Sequence, residues 1–138
     1  MNKNNYKKGF TLIELLVVIT IIVVIASVLL VNLANTRTQV KDSKIKFEMN
    51  QIRTALEAFS PGVTYVNGCN AGTECFKLKA EVVNNGGTGL RQQLSLSSFC
   101  IQYTLNQSST TYWCVDSAGY AGPPTAQTTC AAANIKCK

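Results

Sequence analysis

Histidine is absent from the 138 residues, and with it the most frequent general base and a principal zinc ligand. Acids are scarce, seven against thirteen Lys and Arg. In the region 60–138 they are Glu74, Glu81 and Asp116, too dispersed for an acid–base pair or for a calcium loop, which needs several oxygen ligands close together. No Cys-x-x-Cys occurs, which argues against zinc and against a redox-active pair. No nucleophile and base stand in a recognisable constellation, so no enzyme, metal or cofactor is expected. The three prolines, Pro61, Pro123 and Pro124, all lie beyond residue 60, and no cysteine precedes Cys69. No repeat is visible.

What the chain has instead is an uncharged run from Leu15 to Thr36, 22 residues long. Within Leu15–Val31 the only non-apolar residues are Thr20 and Ser27. As a helix the run spans about 33 Å, enough for a hydrocarbon layer of about 30 Å. No Ala-x-Ala site closes it, so it reads as a retained span rather than an ordinary secretory signal. Three of the thirteen cations, Lys3, Lys7 and Lys8, precede it and mark the cytoplasmic side. That orientation exports the carboxyl-terminal part. The net charge of +6 loses half its value once these three are set aside. The rest is a solvated surface: Arg91, Lys136 and Lys138 are too scattered for a nucleic-acid groove, and DNA binding is not indicated.

Val17–Ile25 is nine consecutive β-branched residues, stiff at χ1 and mediocre helix formers, so the helix there depends on lipid or packed neighbours. Past Asn35 the helix continues in amphipathic form. Ile45, Met49, Ile52, Leu56 and Phe59 share one stripe, and Ser60-Pro61-Gly62 ends it. One helix from Phe10 to Phe59, about 75 Å long, is the simplest reading.

Residues 61–98 read as loop, with Phe76–Val83 either a short strand or a turn of helix. Phe99–Leu105 and Thr110–Val115 are strands of a hairpin turning near Gln107, with Phe99, Tyr103 and Trp113 in the core. Asp116 is a turn former before Gly119. The hairpin sets Cys100 opposite Cys114. The expected disulfides are Cys100–Cys114, Cys69–Cys75 and Cys130–Cys137, with Cys75–Cys100 and Cys114–Cys130 as competitors. The fold class is α+β: a long amino-terminal helix on a small antiparallel, disulfide-bonded sheet.

Glu14 is the one acid beside the apolar run. Thr11-Leu12-Ile13-Glu14 fits a capping box, in which the carboxylate satisfies free amides of the first turn. Yet a carboxylate at membrane depth costs several kcal/mol unless paired. The string Lys7-Lys8-Gly9-Phe10-Thr11-Leu12-Ile13-Glu14-Leu15-Leu16-Val17-Val18 resembles the class III signal of type IV pilins and type II secretion pseudopilins. The resemblance implies that a membrane prepilin peptidase and methyltransferase cuts after Gly9 on the cytoplasmic face and N-methylates Phe10. Glu14 becomes the fifth mature residue and pairs with the terminal amine of a neighbouring subunit. Many pilins carry a proline a little over two turns into the mature helix; this chain has none there. The β-branched run from Val17 stands where family filaments often melt.

By the same resemblance, 1–9 is a basic leader, 10–36 a transmembrane and filament-core helix, and 37–138 an exported pilin-like domain. The last divides into the half-helix 37–59 and the β-rich region 60–138. The expected partners are further copies in a helical filament, the membrane, the assembly platform with its ATPase, and minor pilins. The chain is held in the cytoplasmic membrane before assembly and in a surface filament after it. Alternatives are a pseudopilin of a secretion or DNA-uptake system, a minor pilin acting as adhesin or DNA receptor, and an unrelated single-pass membrane protein.

Overall fold

In the computed structural model, which describes residues 9–59, 64–124, 130 and 135–138, the longest element is the helix α1, Leu12–Phe59. It is followed by α2 (Glu74–Asn84) and the strands β1 (Thr88–Leu94), β2 (Phe99–Thr104), β3 (Tyr112–Asp116) and β4 (Ala121–Gly122). The strands form one antiparallel sheet in the order β1-β2-β3-β4. The chain is thus α+β, a long amino-terminal helix and a small disulfide-bonded sheet. It divides into two compact units, Met1–Thr36 and Arg37–Lys138. Lys3, Lys7 and Lys8, expected in a leader, Ser60-Pro61-Gly62, expected to end the helix, and the segments 125–129 and 131–134 lie outside the described residues.

In the first unit the large apolar side chains face outward, from Leu12 at 82% to Val18 at 46% exposure. The helix is long and apolar enough to cross a membrane. The two hydroxyls within Leu15–Val31 make no demand on surrounding lipid. Thr20 Oγ1 donates to the Val17 carbonyl at 2.8 Å and Ser27 Oγ to that of Val24 at 2.7 Å. Such back-bonding satisfies polar side chains where water is excluded.

The second unit is built on the amphipathic stripe. Ile45, Met49, Ile52 and Leu56 are fully buried, in one core with Val82, Phe99, Ile101, Tyr103 and Val115. Phe59, expected on the same stripe, remains half exposed at the end of α1. Phe99, Ile101 and Tyr103 alternate along β2 and so share a face, as do Trp113 and Val115 on β3. Tyr103 lies directly opposite Trp113. Trp113 is only partly buried, with the Lys46 ammonium 5.0 Å over its ring.

Three expectations change. Residues 74–84 are a helix, so Phe76–Val83 belongs to α2. Thr73 caps it by accepting the Phe76 amide at 3.3 Å. Residues 88–94, expected as loop, form the edge strand β1, whose TGLRQQL composition has none of the usual apolar alternation. Its register is irregular between Thr88 and Arg91, where Gly89 takes φ +60 and a Cβ would meet Thr104 Oγ1. Finally, Cys100 faces Asp116 and Gln102 faces Cys114, so the β2–β3 turn is centred on Ser108 rather than Gln107.

Two charged residues of α1 hold the two turns of β3. Asp42 accepts amides of the β2–β3 turn, and Arg53 Nη1 donates to the Gly119 carbonyl in the β3–β4 turn at 3.0 Å. Every residue of β2 is buried, although its FCIQYT sequence alternates. One face meets α1; the other meets Cys130 and Cys137 of the tail.

Candidate functional site

Of the residues singled out at the amino terminus, Thr11 and Glu14 meet at the first turn of α1. Thr11 stands just before the helix, and Glu14 Oε2 accepts both its amide at 2.9 Å and its hydroxyl at 2.8 Å. The Glu14 amide in turn donates to Thr11 Oγ1 at 3.3 Å. This is a reciprocal capping box. Among the described residues no hydrogen bond uses Glu14 Oε1. The carboxylate can therefore cap its own helix with one oxygen and offer the other to a cation. Gly9 and Phe10 precede the helix, exposed and in irregular backbone. A Cβ at Gly9 would meet nothing within 4 Å, so this chain's own fold does not demand a glycine there.

The cysteines form two separate groups. Cys69 and Cys75 are joined beside the start of α2. The expected Cys100–Cys114 and Cys130–Cys137 pairs do not form; the bonds are Cys100–Cys130 and Cys114–Cys137. The displaced turn explains part of this. Shifting its centre by one residue moves the register by two, so Cys100 and Cys114 stay on one face but lie diagonally. Their sulfurs are 3.5 Å apart, in contact without bonding. The tail brings one cysteine to each, so that both bonds tie it to the sheet.

Two carboxylates whose importance the sequence did not reveal hold the second unit together. Asp42, 4% exposed, accepts from the Asn106 amide at 2.7 Å, from Asn106 Nδ2 at 3.0 Å and from the Gln107 amide at 3.1 Å. Asp116, 2% exposed, accepts from the amides of Ala118 and Tyr120 through Oδ1, both at 3.0 Å. Its Oδ2 takes the Cys137 amide at 2.9 Å. Asp116 is thus a turn former that also anchors the tail. Asp42 gives no such signal: it reads as one more charge on the polar face of an amphipathic helix.

The remaining ionisable groups are engaged separately. Glu74 pairs with Lys77 at 3.4 Å on the surface of α2. Glu48 accepts from Asn85 Nδ2 at 2.8 Å, while its Oε2 is buried without a partner among the described residues. Desolvation raises its carboxyl above the ordinary range despite that hydrogen bond, and the charge of Glu81 adds to the rise. Burial pushes the Tyr103 phenol up to about 12, and its hydroxyl has no partner among the described residues. Desolvation lowers the Lys79 ammonium, which donates to Gln92 Oε1. Lys138 lies 4.9 Å from the Tyr120 ring centre, and Arg91 is exposed on β1.

Residues 4–30 match the prokaryotic N-terminal methylation motif, the class III signal of type IV pilin-like proteins. No curated protein and no solved structure matches the chain. The motif supports a pilin-like or pseudopilin-like structural protein, and suggests processing by a prepilin peptidase and assembly into pilus-like filaments.

Proposed function

We propose that this chain is a structural subunit of a type IV pilus-like surface filament, cut after Gly9, N-methylated at Phe10 and assembled through its amino-terminal helix. In this reading 1–9 is removed, 10–36 first spans the membrane and then enters the filament core, and 37–138 is the exported coat. The observation that carries it is the placement of Glu14. A methylation motif runs into an outward-facing apolar helix whose first-turn carboxylate, Glu14, keeps one oxygen unengaged among the described residues. A carboxylate in an apolar environment costs several kcal/mol unless it is paired. A cation supplied by the next subunit, the amine exposed at Phe10, offsets that cost and fixes the axial register. Wrong registers leave the charge unpaired.

The outward-facing side chains of the first unit supply the cohesion. In lipid they need no partner; outside lipid they must be covered by other copies. The machinery implied is a membrane peptidase and methyltransferase, an assembly platform and its ATPase. Mass spectrometry of filament material should find chains beginning at N-methylated Phe10, and chains beginning at Met1 would refute the processing step. Pseudopilins of secretion or DNA-uptake systems, and minor pilins acting as adhesins or DNA receptors, carry the same kind of signal. Electron microscopy of sheared surface material separates long pili from short confined pseudopili.

A further inference from the structure

The four sulfurs of Cys100, Cys114, Cys130 and Cys137 all lie within 4.8 Å of one another, and all four residues are at most 3% exposed. Two disulfides need no such proximity between themselves. Across them, Cys100 is 3.5 Å from Cys114 and 3.8 Å from Cys137, and Cys114 is 3.5 Å from Cys130. A tetrahedral ion with metal–sulfur bonds of about 2.3 Å sets its sulfurs about 3.8 Å apart. We propose that these four cysteines, when reduced, are a closed tetrathiolate site for one divalent ion of the zinc class, alternative to the two disulfides.

The backbone supports this. Cys100 and Cys114 come from adjacent strands, which fixes two ligands. Cys130 and Cys137 come from the tail. There the Cys130 amide donates to the Lys136 carbonyl at 3.4 Å, and the Cys137 amide is held by Asp116. Only the two bonded pairs must part; the contacts across the disulfides already approximate tetrahedral edges. Tyr120 and Ile135 pack against the cluster, so the site has no open position, as in structural rather than catalytic zinc sites. A divalent ion with four thiolates carries two negative charges, and Lys136 and Lys138 flank Cys137 in sequence. The absence of Cys-x-x-Cys and His argued against zinc only because the sequence shows no local ligand pairs. The tertiary structure assembles the set from four distant positions.

The chemistry balances with a thiol- or phosphine-class reductant. Each disulfide accepts two electrons and two protons, giving four thiols, and the ion displaces four protons as the metal–sulfur bonds form. Either state ties the tail to β2 and β3. Under oxidising conditions the ties are covalent bonds; under reducing conditions they are metal–thiolate bonds.

The test uses the full chain in detergent, reduced anaerobically with a phosphine, its six thiols counted, and titrated with Co²⁺ as a spectroscopic substitute for Zn²⁺. The expected result is one Co²⁺ per chain, with intense sulfur-to-metal charge transfer and the visible bands of a tetrahedral tetrathiolate, both lost when Zn²⁺ is added. A Cys69→Ser/Cys75→Ser variant should keep the bands, and a Cys130→Ser/Cys137→Ser variant should lose them. The proposal is overturned if six free thiols give no tetrahedral cobalt spectrum. It is equally overturned if the bands survive loss of Cys130 and Cys137, or vanish with Cys69 and Cys75.

Discussion

The Asp42 carboxylate on α1 sits 2.7 Å from the backbone amide of Asn106, 64 residues further along the chain. With its further bonds to Asn106 Nδ2 and the Gln107 amide, it fixes the β2–β3 turn against the helix. Asn106 Nδ2 also donates to the Asn85 carbonyl at 2.9 Å, which draws the end of α2 into the same junction. Gly86 follows with φ +94, and a Cβ there would run into the Asn106 side chain. One carboxylate therefore sets the relative positions of three elements.

Asp42→Ala should destabilise the second unit by about 2–4 kcal/mol, since it removes the acceptor used by the backbone amides of Asn106 and Gln107. Asp42→Asn keeps one acceptor oxygen and should lose about half as much. Chemical denaturation of the full chain in detergent, followed by Trp113 fluorescence, measures both. Equal stability of wild type and the alanine variant would show that water replaces the carboxylate.

Asp116→Asn should act on the tail. One Asn oxygen can serve the Ala118 and Tyr120 amides, whereas the amide nitrogen set where Oδ2 stood cannot accept from Cys137. Hydrogen exchange should speed up roughly tenfold at Cys137, the equivalent of about 1.4 kcal/mol. Exchange at Ile101 and Val115 should stay near wild type.

Glu48 gives the pH prediction. Its folded-state carboxyl is raised, first by desolvation, so its contribution is fully present below the unfolded carboxylate range and is lost as pH rises through the folded value. Ionised Glu48 therefore weakens the fold at neutral pH. Glu48→Gln keeps an acceptor for Asn85 and removes the charge. Its melting temperature relative to wild type should rise between pH 4 and pH 7; a relative fall over that interval would contradict the assignment.

Tyr103→Phe should be neutral or stabilising by up to about 1 kcal/mol, because the hydroxyl is buried without a partner while the ring fills the core. A loss above about 1 kcal/mol would mean that the phenol is satisfied, with an ordered water as the natural candidate. Thermal denaturation of the two proteins decides it.

For Glu14 the informative variant is Gln, which preserves an acceptor for the Thr11 amide and removes the charge. If the residue only caps the helix, Glu14→Gln should assemble nearly as well as wild type. If it pairs with the amine of a neighbouring Phe10, Glu14→Gln should lower filament yield about as severely as Glu14→Ala. In both variants the second unit, Arg37–Lys138, should melt unchanged. Sheared-filament yield and circular dichroism of the detergent-solubilised chain give the two readouts.

Much of this was open to reading in the chain itself. The uncharged run Leu15–Thr36 and the stripe Ile45, Met49, Ile52 and Leu56 are local patterns, repeated over several turns, and periodicity alone reports them. The capping box at Thr11 and Glu14 spans four residues, and the motif around Gly9 is contiguous. The strands β2 and β3 were legible from their aromatic and β-branched content. In each of these the determining interactions lie within a turn, a strand or a short string.

Tertiary structure decided the rest, because the partners are distant. β1 is a strand only because β2 offers it hydrogen bonds; its own TGLRQQL composition argues for a loop. The identical chemistry of six thiols leaves sequence unable to choose among pairings. The placement of Cys130 and Cys137 against the sheet chose Cys100–Cys130 and Cys114–Cys137 and gathered four sulfurs into one buried cluster. Asp42 and Asp116 read as one more helix charge and one more turn former until the chain folds and delivers the amides of Asn106, Gln107 and Cys137 to them. Periodicity set what α1, β2 and β3 became; only the three-dimensional path, where a buried carboxylate needs donors and an edge strand needs a neighbour, made β1 a strand and set what each segment met.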